Sequence, residues 1–263
     1  MIVDAGGIKL RVERRGEGRP LLLITGIGAH LDMWRPFYPV AGERELIAFD
    51  APGVGRSERP RLPLRMLALA RVVSVLLDAL GLERADVLGY SFGGGLAQEL
   101  AHRHPERVDR LVLCATSPGL GGVPPKPLAA LMLATPARYY HPKLLALSQR
   151  FIAGGAHDPA AGAGERLSAP PGLLGYAYQL YAAGGWTSLP WLHTLPQETL
   201  VVAGDDDPAV PFTNARILAA RIPRARLARI AGGGHLFLLD EPERGAAPIR
   251  AFLDCEPLTT KAA

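Results

Sequence analysis

The residues Gly89-Tyr90-Ser91-Phe92-Gly93 are the feature that most constrains how this chain can fold. They follow the apolar run 85–88 and precede a segment with helical character, Gly94 to His104. Glycines on both sides of a serine allow a strained turn between a strand and a helix, which lifts the hydroxyl clear of the sheet. The pattern predicts an α/β fold in which Ser91 is a nucleophile at the end of a strand.

A base for this serine is predicted later in the chain. Gly232-Gly233-Gly234-His235 follows a predicted strand, Ala225 to Ala231, and therefore lies where open α/β sheets build their sites. A serine hydroxyl is protonated at neutral pH and needs a base within hydrogen-bond reach. His235 is the histidine on a loop after a late strand, so we assign the base to it.

Three adjacent aspartates, Asp205, Asp206 and Asp207, are the candidates for the acid that orients the imidazole. They follow the predicted strand Thr199 to Ala203, in the chain order serine, acid, histidine. The residues alone leave open which of the three points into the site. The other two are predicted to be turn or cap residues ahead of a helix, Phe212 to Arg221.

Acyl transfer also needs N–H donors where negative charge develops on the carbonyl oxygen. The backbone N–H of Phe92, directly after the nucleophile, is one donor of this oxyanion hole. The second is expected in the loop after a predicted strand, Leu21 to Thr25, and we assign it to Ile27.

The remainder of the chain alternates short apolar runs with segments of helical spacing. Strands separated by helices favour a mostly parallel, doubly wound sheet. The alternation stops after Ser117 and resumes at Pro196, which predicts a core of residues 1–117 and 196–263 and an inserted helical cap, 118–195. Further strands and a helix are predicted at Ile8 to Glu13, Leu46 to Phe49, Val87 to Tyr90, Leu111 to Ala115 and, for the helix, Met66 to Leu80.

The segment 118–195 has helix-like pieces such as Pro127 to Leu133 and Lys143 to Phe151, and no strand pattern. Its aromatic residues are typical of a cap over an apolar pocket, although any one ring could belong to the core of the cap itself. They are Tyr139, Tyr140, Phe151, Tyr176, Tyr178, Tyr181, Trp186 and Trp191.

Composition and charge narrow the classes of partner. A chain of 263 residues, with 48% hydrophobic and 21% charged residues, fits one large globular domain or one domain with an insertion. The net charge of +4 comes from scattered arginines, so no nucleic-acid partner is predicted.

The longest apolar stretch is broken by Arg71 and Asp78, and no membrane span is expected. Two cysteines, Cys114 and Cys255, and no signal peptide favour the cytoplasm.

With these residues assigned, the chain resembles the α/β-hydrolases, and more narrowly the intracellular depolymerases of medium-chain-length polyhydroxyalkanoates. The resemblance runs from about Ile8 to Leu253, and it implies an α/β-hydrolase fold with the cap inserted after the sixth strand. It places the triad on Ser91, Asp207 and His235, which selects Asp207 from the aspartates. Its more specific motifs are Gly26-Ile27-Gly28-Ala29, Gly185-Trp186-Thr187-Ser188, Trp191-Leu192-His193, Ala203-Gly204-Asp205-Asp206-Asp207-Pro208 and Gly234-His235-Leu236-Phe237-Leu238.

The resemblance implies a serine ester hydrolase that needs no metal or organic cofactor and acts on a polyester or its oligomers, with the polymer granule surface as a possible partner. A carboxylesterase or lipase acting on small or medium-chain esters has the same triad, and so do other chemistries of the fold, such as carbon–carbon bond hydrolysis. A non-catalytic protein that binds granules or ligands is the alternative from another class. The sequence makes no prediction of the oligomeric state.

Overall fold

A computed structural model describes residues 1–155 and 169–255. They form an eight-stranded sheet in the order β1-β2-β4-β3-β5-β6-β7-β8. The pairs β1–β2 and β2–β4 are antiparallel, and every other neighbouring pair is parallel, as predicted. The strands are Ile2–Asp4 (β1), Lys9–Arg15 (β2), Pro20–Ile24 (β3), Glu45–Phe49 (β4), Ala85–Tyr90 (β5), Val108–Cys114 (β6), Glu198–Gly204 (β7) and Ala225–Ile230 (β8).

Helices connect the parallel strands and also form the segment between β6 and β7. None of the helices in the described ranges is long and apolar enough to cross a membrane. The α-helices are Met66–Ala79 (α1), Phe92–Arg103 (α2), Pro127–Leu133 (α3), Pro142–Ile152 (α4), Leu173–Ala183 (α5), Thr213–Arg221 (α6), Phe237–Asp240 (α7) and Pro242–Asp254 (α8). Single 3-10 turns lie at Leu31–Trp34, Tyr38–Val40, Pro105–Arg107, Pro136–Tyr139 and Leu192–Thr194.

The sheet is buried on both faces, which explains why its central strands are continuously apolar. Side chains alternate between the faces of a strand, so Leu22 and Ile24 of β3 join one core with α1, α2 and α6. Leu21 and Leu23 join the other core, which contains Trp34 and the inner side of α8. This arrangement confirms the predicted doubly wound sheet.

The segment between β6 and β7 contributes α3, α4 and α5 and rests on α2. The indole N–H of Trp186 donates to Glu99 at 2.7 Å, and the Ser188 hydroxyl donates to Gln98 at 2.7 Å. Within its described part, the strand-like pairing is a single bridge between Gly119 and Thr187. The division into a core, 1–117 and 196–263, and a cap, 118–195, stays a prediction; residues 156–168 and 256–263 lie outside the described ranges.

Candidate active site

Ser91 occupies a tight turn between β5 and α2. Its backbone has φ 54° and ψ −117°, a conformation that few residues other than glycine adopt. The glycines beside it are required by close packing, because a Cβ at Gly93 would collide with the carbonyl oxygen of Ile24. A Cβ at Gly89 would lie 2.7 Å from the side chain of Ala97. The turn therefore holds the Ser91 hydroxyl at the carboxyl edge of the sheet.

His235 connects Ser91 to Asp207 by two hydrogen bonds. Its Nε2 lies 3.1 Å from Ser91 Oγ, and its Nδ1 lies 2.7 Å from Asp207 Oδ2. The other oxygen of Asp207 accepts hydrogen bonds from the backbone N–H groups of Ala209 and Val210, at 2.8 and 2.7 Å. Both side chains are buried, so the carboxylate holds the imidazole in one orientation. The structure thus brings the three predicted residues into one hydrogen-bonded row.

The loop that carries His235 is also held through its backbone. The Tyr90 hydroxyl donates to the carbonyl oxygen of His235, and the His235 N–H donates to the carbonyl oxygen of Ala153, just after α4. The ring of Tyr90 lies 5.8 Å from the imidazole, centre to centre. The position of His235 is therefore fixed by Tyr90, at the end of β5, and by the backbone of Ala153, after α4.

The two neighbouring aspartates point elsewhere. Asp205 forms an ion pair with Arg229 and accepts the N–H of Gly232 at 2.6 Å. The bond from Arg229 lowers the pKa of Asp205. Asp206 accepts the N–H of Gly155 at 2.9 Å. Both are turn residues, as predicted, and neither caps α6, whose preceding residue makes no side-chain cap.

Ile27 and Phe92, the predicted oxyanion donors, lie on the loops beside Ser91. No described residue accepts a hydrogen bond from either backbone N–H. Phe92 is the first residue of α2, and the first N–H groups of a helix have no acceptor within it. Ile27 borders the same cavity as Ser91 and His235. Both donors are therefore free to serve a ligand.

Two side chains that the sequence did not single out hold the loop of residues 26–28, which we call the oxyanion loop. The Tyr139 hydroxyl donates to the carbonyl oxygen of Ile27 at 2.8 Å. The Gly28 N–H donates to Oε1 of Gln179 at 2.7 Å. Gly28 has φ 70°, and a Cβ there would lie 2.7 Å from the rings of Tyr139 and Tyr176. The segment between β6 and β7 thus clamps the oxyanion loop.

A cavity of about 90 Å³ lies beside Ser91 and His235. Its wall is mainly aliphatic, with Leu133, Leu145 and Ile152 from α3 and α4. Of the aromatic residues expected over the pocket, only Tyr139 is among the described lining residues, so the expectation was wrong for most of the rings. Trp186 and Trp191 instead pack against the core on α2.

Other reactive groups lie away from this cavity. Cys114 is fully buried in β6, and burial raises the pKa of its thiol, which makes a thiolate nucleophile unfavourable there. Within residues 1–155 and 169–255, no three His, Cys, Asp or Glu side chains are grouped so that they could hold a metal ion.

Comparison with known proteins supports the fold and the resemblance. A family model described as alpha/beta hydrolase fold matches residues 19–242. A poly(3-hydroxyalkanoate) depolymerase from Ectopseudomonas oleovorans is 44% identical over 241 residues, covering 90% of this chain and 85% of the relative. A 2-hydroxymuconate semialdehyde hydrolase from Pseudomonas sp. (strain CF600) is 34% identical over 264 residues, covering 95% and 92%.

Among solved structures, a meta-cleavage product hydrolase from Pseudomonas fluorescens IP01 superposes with a TM-score of 0.84 at 25% identity, covering 97% of each chain. The family match spans most of the chain and includes the turn at Ser91 and the predicted acid. The chain is a hydrolase by family: it belongs to the alpha/beta hydrolase fold family and resembles a poly(3-hydroxyalkanoate) depolymerase.

Proposed function

We propose that this protein is a serine ester hydrolase that depolymerises medium-chain poly(3-hydroxyalkanoate) or its oligomers. The observation that carries the proposal is the row of hydrogen bonds from Ser91 through His235 to Asp207, which opens onto an aliphatic cavity. The 44% identical relative named as a poly(3-hydroxyalkanoate) depolymerase supports the choice of substrate.

In the first half of the reaction, Ser91 Oγ attacks the ester carbonyl while His235 Nε2 takes its proton. Asp207 holds the Nδ1–H and stabilises the imidazolium without taking the proton itself. The N–H groups of Ile27 and Phe92 stabilise the oxyanion, and losing one such donor typically costs about 100- to 1000-fold in rate.

The tetrahedral intermediate collapses when the ester oxygen leaves as an alcohol, with the proton that His235 carries. Water then attacks the acyl-enzyme, and His235 takes a proton from it as the new bond forms. The second collapse releases a carboxylic acid and returns the proton to Ser91. The residues of the chain supply the nucleophile, the base and the donors.

A carboxylesterase acting on small or medium-chain esters is the second candidate. The cavity volume of about 90 Å³ favours it, since ligand pockets commonly measure about 300–1,000 Å³. The 34% identical relative named as a 2-hydroxymuconate semialdehyde hydrolase supports a third candidate, a hydrolase that acts on a substrate of that class. A cytoplasmic location with access to the surface of polymer granules is part of the main proposal.

The decisive experiment measures soluble 3-hydroxy acids released from a suspension of medium-chain polyhydroxyalkanoate, with Ser91→Ala as the control. Release by the wild type and none above background by Ser91→Ala is the expected result. Hydrolysis of short p-nitrophenyl esters without release from the polymer would move the protein to the carboxylesterases. Failure of a fluorophosphonate to label Ser91 would favour the non-catalytic alternative.

A further inference from the structure

Arg138 is a buried cation in the wall of the cavity that holds Ser91. It follows α3, in the short 3-10 turn Pro136–Tyr139, and is 7% exposed. None of the described residues that line the cavity is acidic, and Arg138 is the one permanent charge among them. The cavity therefore combines aliphatic walls with a single positive group.

The contacts that hold Arg138 are all with neutral groups. Its Nη1 donates to the carbonyl oxygens of Met132 and Thr135, both at 2.9 Å. Its Nη2 donates to the hydroxyl of Tyr139 at 3.4 Å. The guanidinium carbon lies 4.6 Å from the centre of the Tyr139 ring and 5.3 Å from that of Tyr176. Among the described residues, no carboxylate forms an ion pair with it.

These contacts leave part of the guanidinium without an acceptor among the described residues. A guanidinium has five N–H donors, and the three hydrogen bonds use only some of them. A buried charge is costly unless it is paired, and arginine pairs best with a planar anion that can accept two parallel hydrogen bonds. A carboxylate that entered the cavity would meet both needs.

We propose that Arg138 binds the free carboxylate of a 3-hydroxyalkanoate oligomer, so that the enzyme cleaves near the carboxyl end of the chain. This inference rests on the proposed function. An oligomer of 3-hydroxy acids has one ionised group, its terminal carboxylate, and otherwise offers apolar side chains to aliphatic walls. End recognition means that short products are released in sequence from one terminus.

Tyr139 connects the proposed carboxylate subsite at Arg138 to the oxyanion loop. Its hydroxyl accepts from Arg138 and donates to the carbonyl oxygen of Ile27. The carboxylate subsite and the oxyanion loop are therefore two hydrogen bonds apart. An oligomer whose end is seated on Arg138 lies against the same tyrosine that holds the oxyanion donor.

The test compares the dimer of 3-hydroxyoctanoate with its methyl ester, which has no charge at the end, and follows only cleavage of the ester bond between the two units. Wild-type kcat/KM should be about 10- to 100-fold higher for the free acid, as expected for hydrogen bonds to a charged group. Arg138→Met should remove this preference, because kcat/KM for the free acid should fall about 10- to 100-fold further than kcat/KM for the methyl ester. Arg150→Met, at an exposed arginine of α4, is the matched control and should keep the preference.

Equal wild-type kcat/KM for the two dimers would overturn the inference whether or not the variant folds. An equal loss for both dimers in Arg138→Met would also overturn it, because it would indicate a structural or oxyanion role. Hydrolysis of neither dimer would count against the proposed function alone. The inference is then judged by protection of Ser91 from a fluorophosphonate, which 3-hydroxyoctanoate should provide and its methyl ester should not.

Discussion

Three consecutive aspartates occupy the turn after β7, and their carboxylates go to three different places. Asp205 faces Arg229, Asp206 faces the backbone of Gly155, and Asp207 reaches His235. Residue type cannot distinguish them, since all three are acidic and adjacent. What separates them is the direction of each side chain, which depends on the path of the turn and on partners distant in sequence.

We expect Asp207→Asn to lower kcat by about four orders of magnitude with little change in folding. The amide keeps the shape of the carboxylate but does not stabilise the imidazolium or keep its tautomer. Asp206→Asn is the matched control, because Asp206 is exposed and can still accept from Gly155 as an amide. Steady-state hydrolysis of a p-nitrophenyl ester measures both. Comparable rates for the two variants would remove Asp207 from its proposed role.

At the scale of elements, the oxyanion loop is held from above by α5 and by the turn before α4. Gln179 contributes only its carbonyl oxygen to this contact, since its Nε2 has no hydrogen-bond partner among the described residues. The two halves of the amide are therefore used unequally. A substitution at Gln179 can therefore remove or keep the acceptor oxygen without breaking a hydrogen bond made by Nε2.

Gln179→Met removes the acceptor for the Gly28 N–H and should lower kcat about 10-fold, because the oxyanion loop can then turn its donor away. KM should change little, since Gln179 does not line the cavity. Gln179→Glu retains an acceptor oxygen and should recover most of kcat. A Gln179→Met enzyme with wild-type kcat would mean that the loop holds its conformation without this contact.

The elements that sequence pattern predicted well are those with enough length for a period to emerge. Helix α1 and the central strands agree with their expected bounds to within a few residues. Strand β1 was missed because three residues cannot display alternation. Helix α8 was not predicted, since Pro248 lies inside it and Gly245 adds a second weak position.

The candidate site could be predicted from the sequence only as far as local patterns reach. Ser91, His235, Ile27 and Phe92 each follow a strand, which a motif can locate. Tyr139 lies 112 residues from Ile27, and Gln179 lies 151 residues from Gly28. Such contacts depend on how the segment between β6 and β7 folds back over the sheet, and no short pattern encodes that.

At the scale of the whole molecule, the two ends of the parallel strands carry different groups of polar residues. The candidate site lies at the carboxyl edge, and a buried ion cluster lies near the starts of β5 and β6. There Arg110 binds Asp86 through two hydrogen bonds, at 3.1 and 2.8 Å, and Arg44 lies 3.5 Å from the same carboxylate. All three side chains are almost fully buried. The cluster joins adjacent strands far from Ser91.

Arg110→Met should lower the free energy of unfolding by about 3–5 kcal/mol, because it leaves a buried carboxylate short of its main partner. The folded fraction should keep its turnover per site. Urea denaturation gives the stability, and titration with a fluorophosphonate counts the folded sites. Arg84→Met breaks an exposed pair with Asp109 and should cost less than about 1 kcal/mol. Equal losses in the two variants would contradict this division between the edges.

The clamp on the oxyanion loop has a consequence for enzyme engineering. A designer who exchanged residues 118–195 for those of a relative, in order to alter specificity, would discard Tyr139 and Gln179 together with the pocket walls. The chimaera would then turn over every ester more slowly, and a screen for specificity would attribute this general loss to a poor fit between the new pocket and its substrate. Transplanting residues 26–28 along with the foreign segment, as one cassette, keeps the two halves of the contact matched.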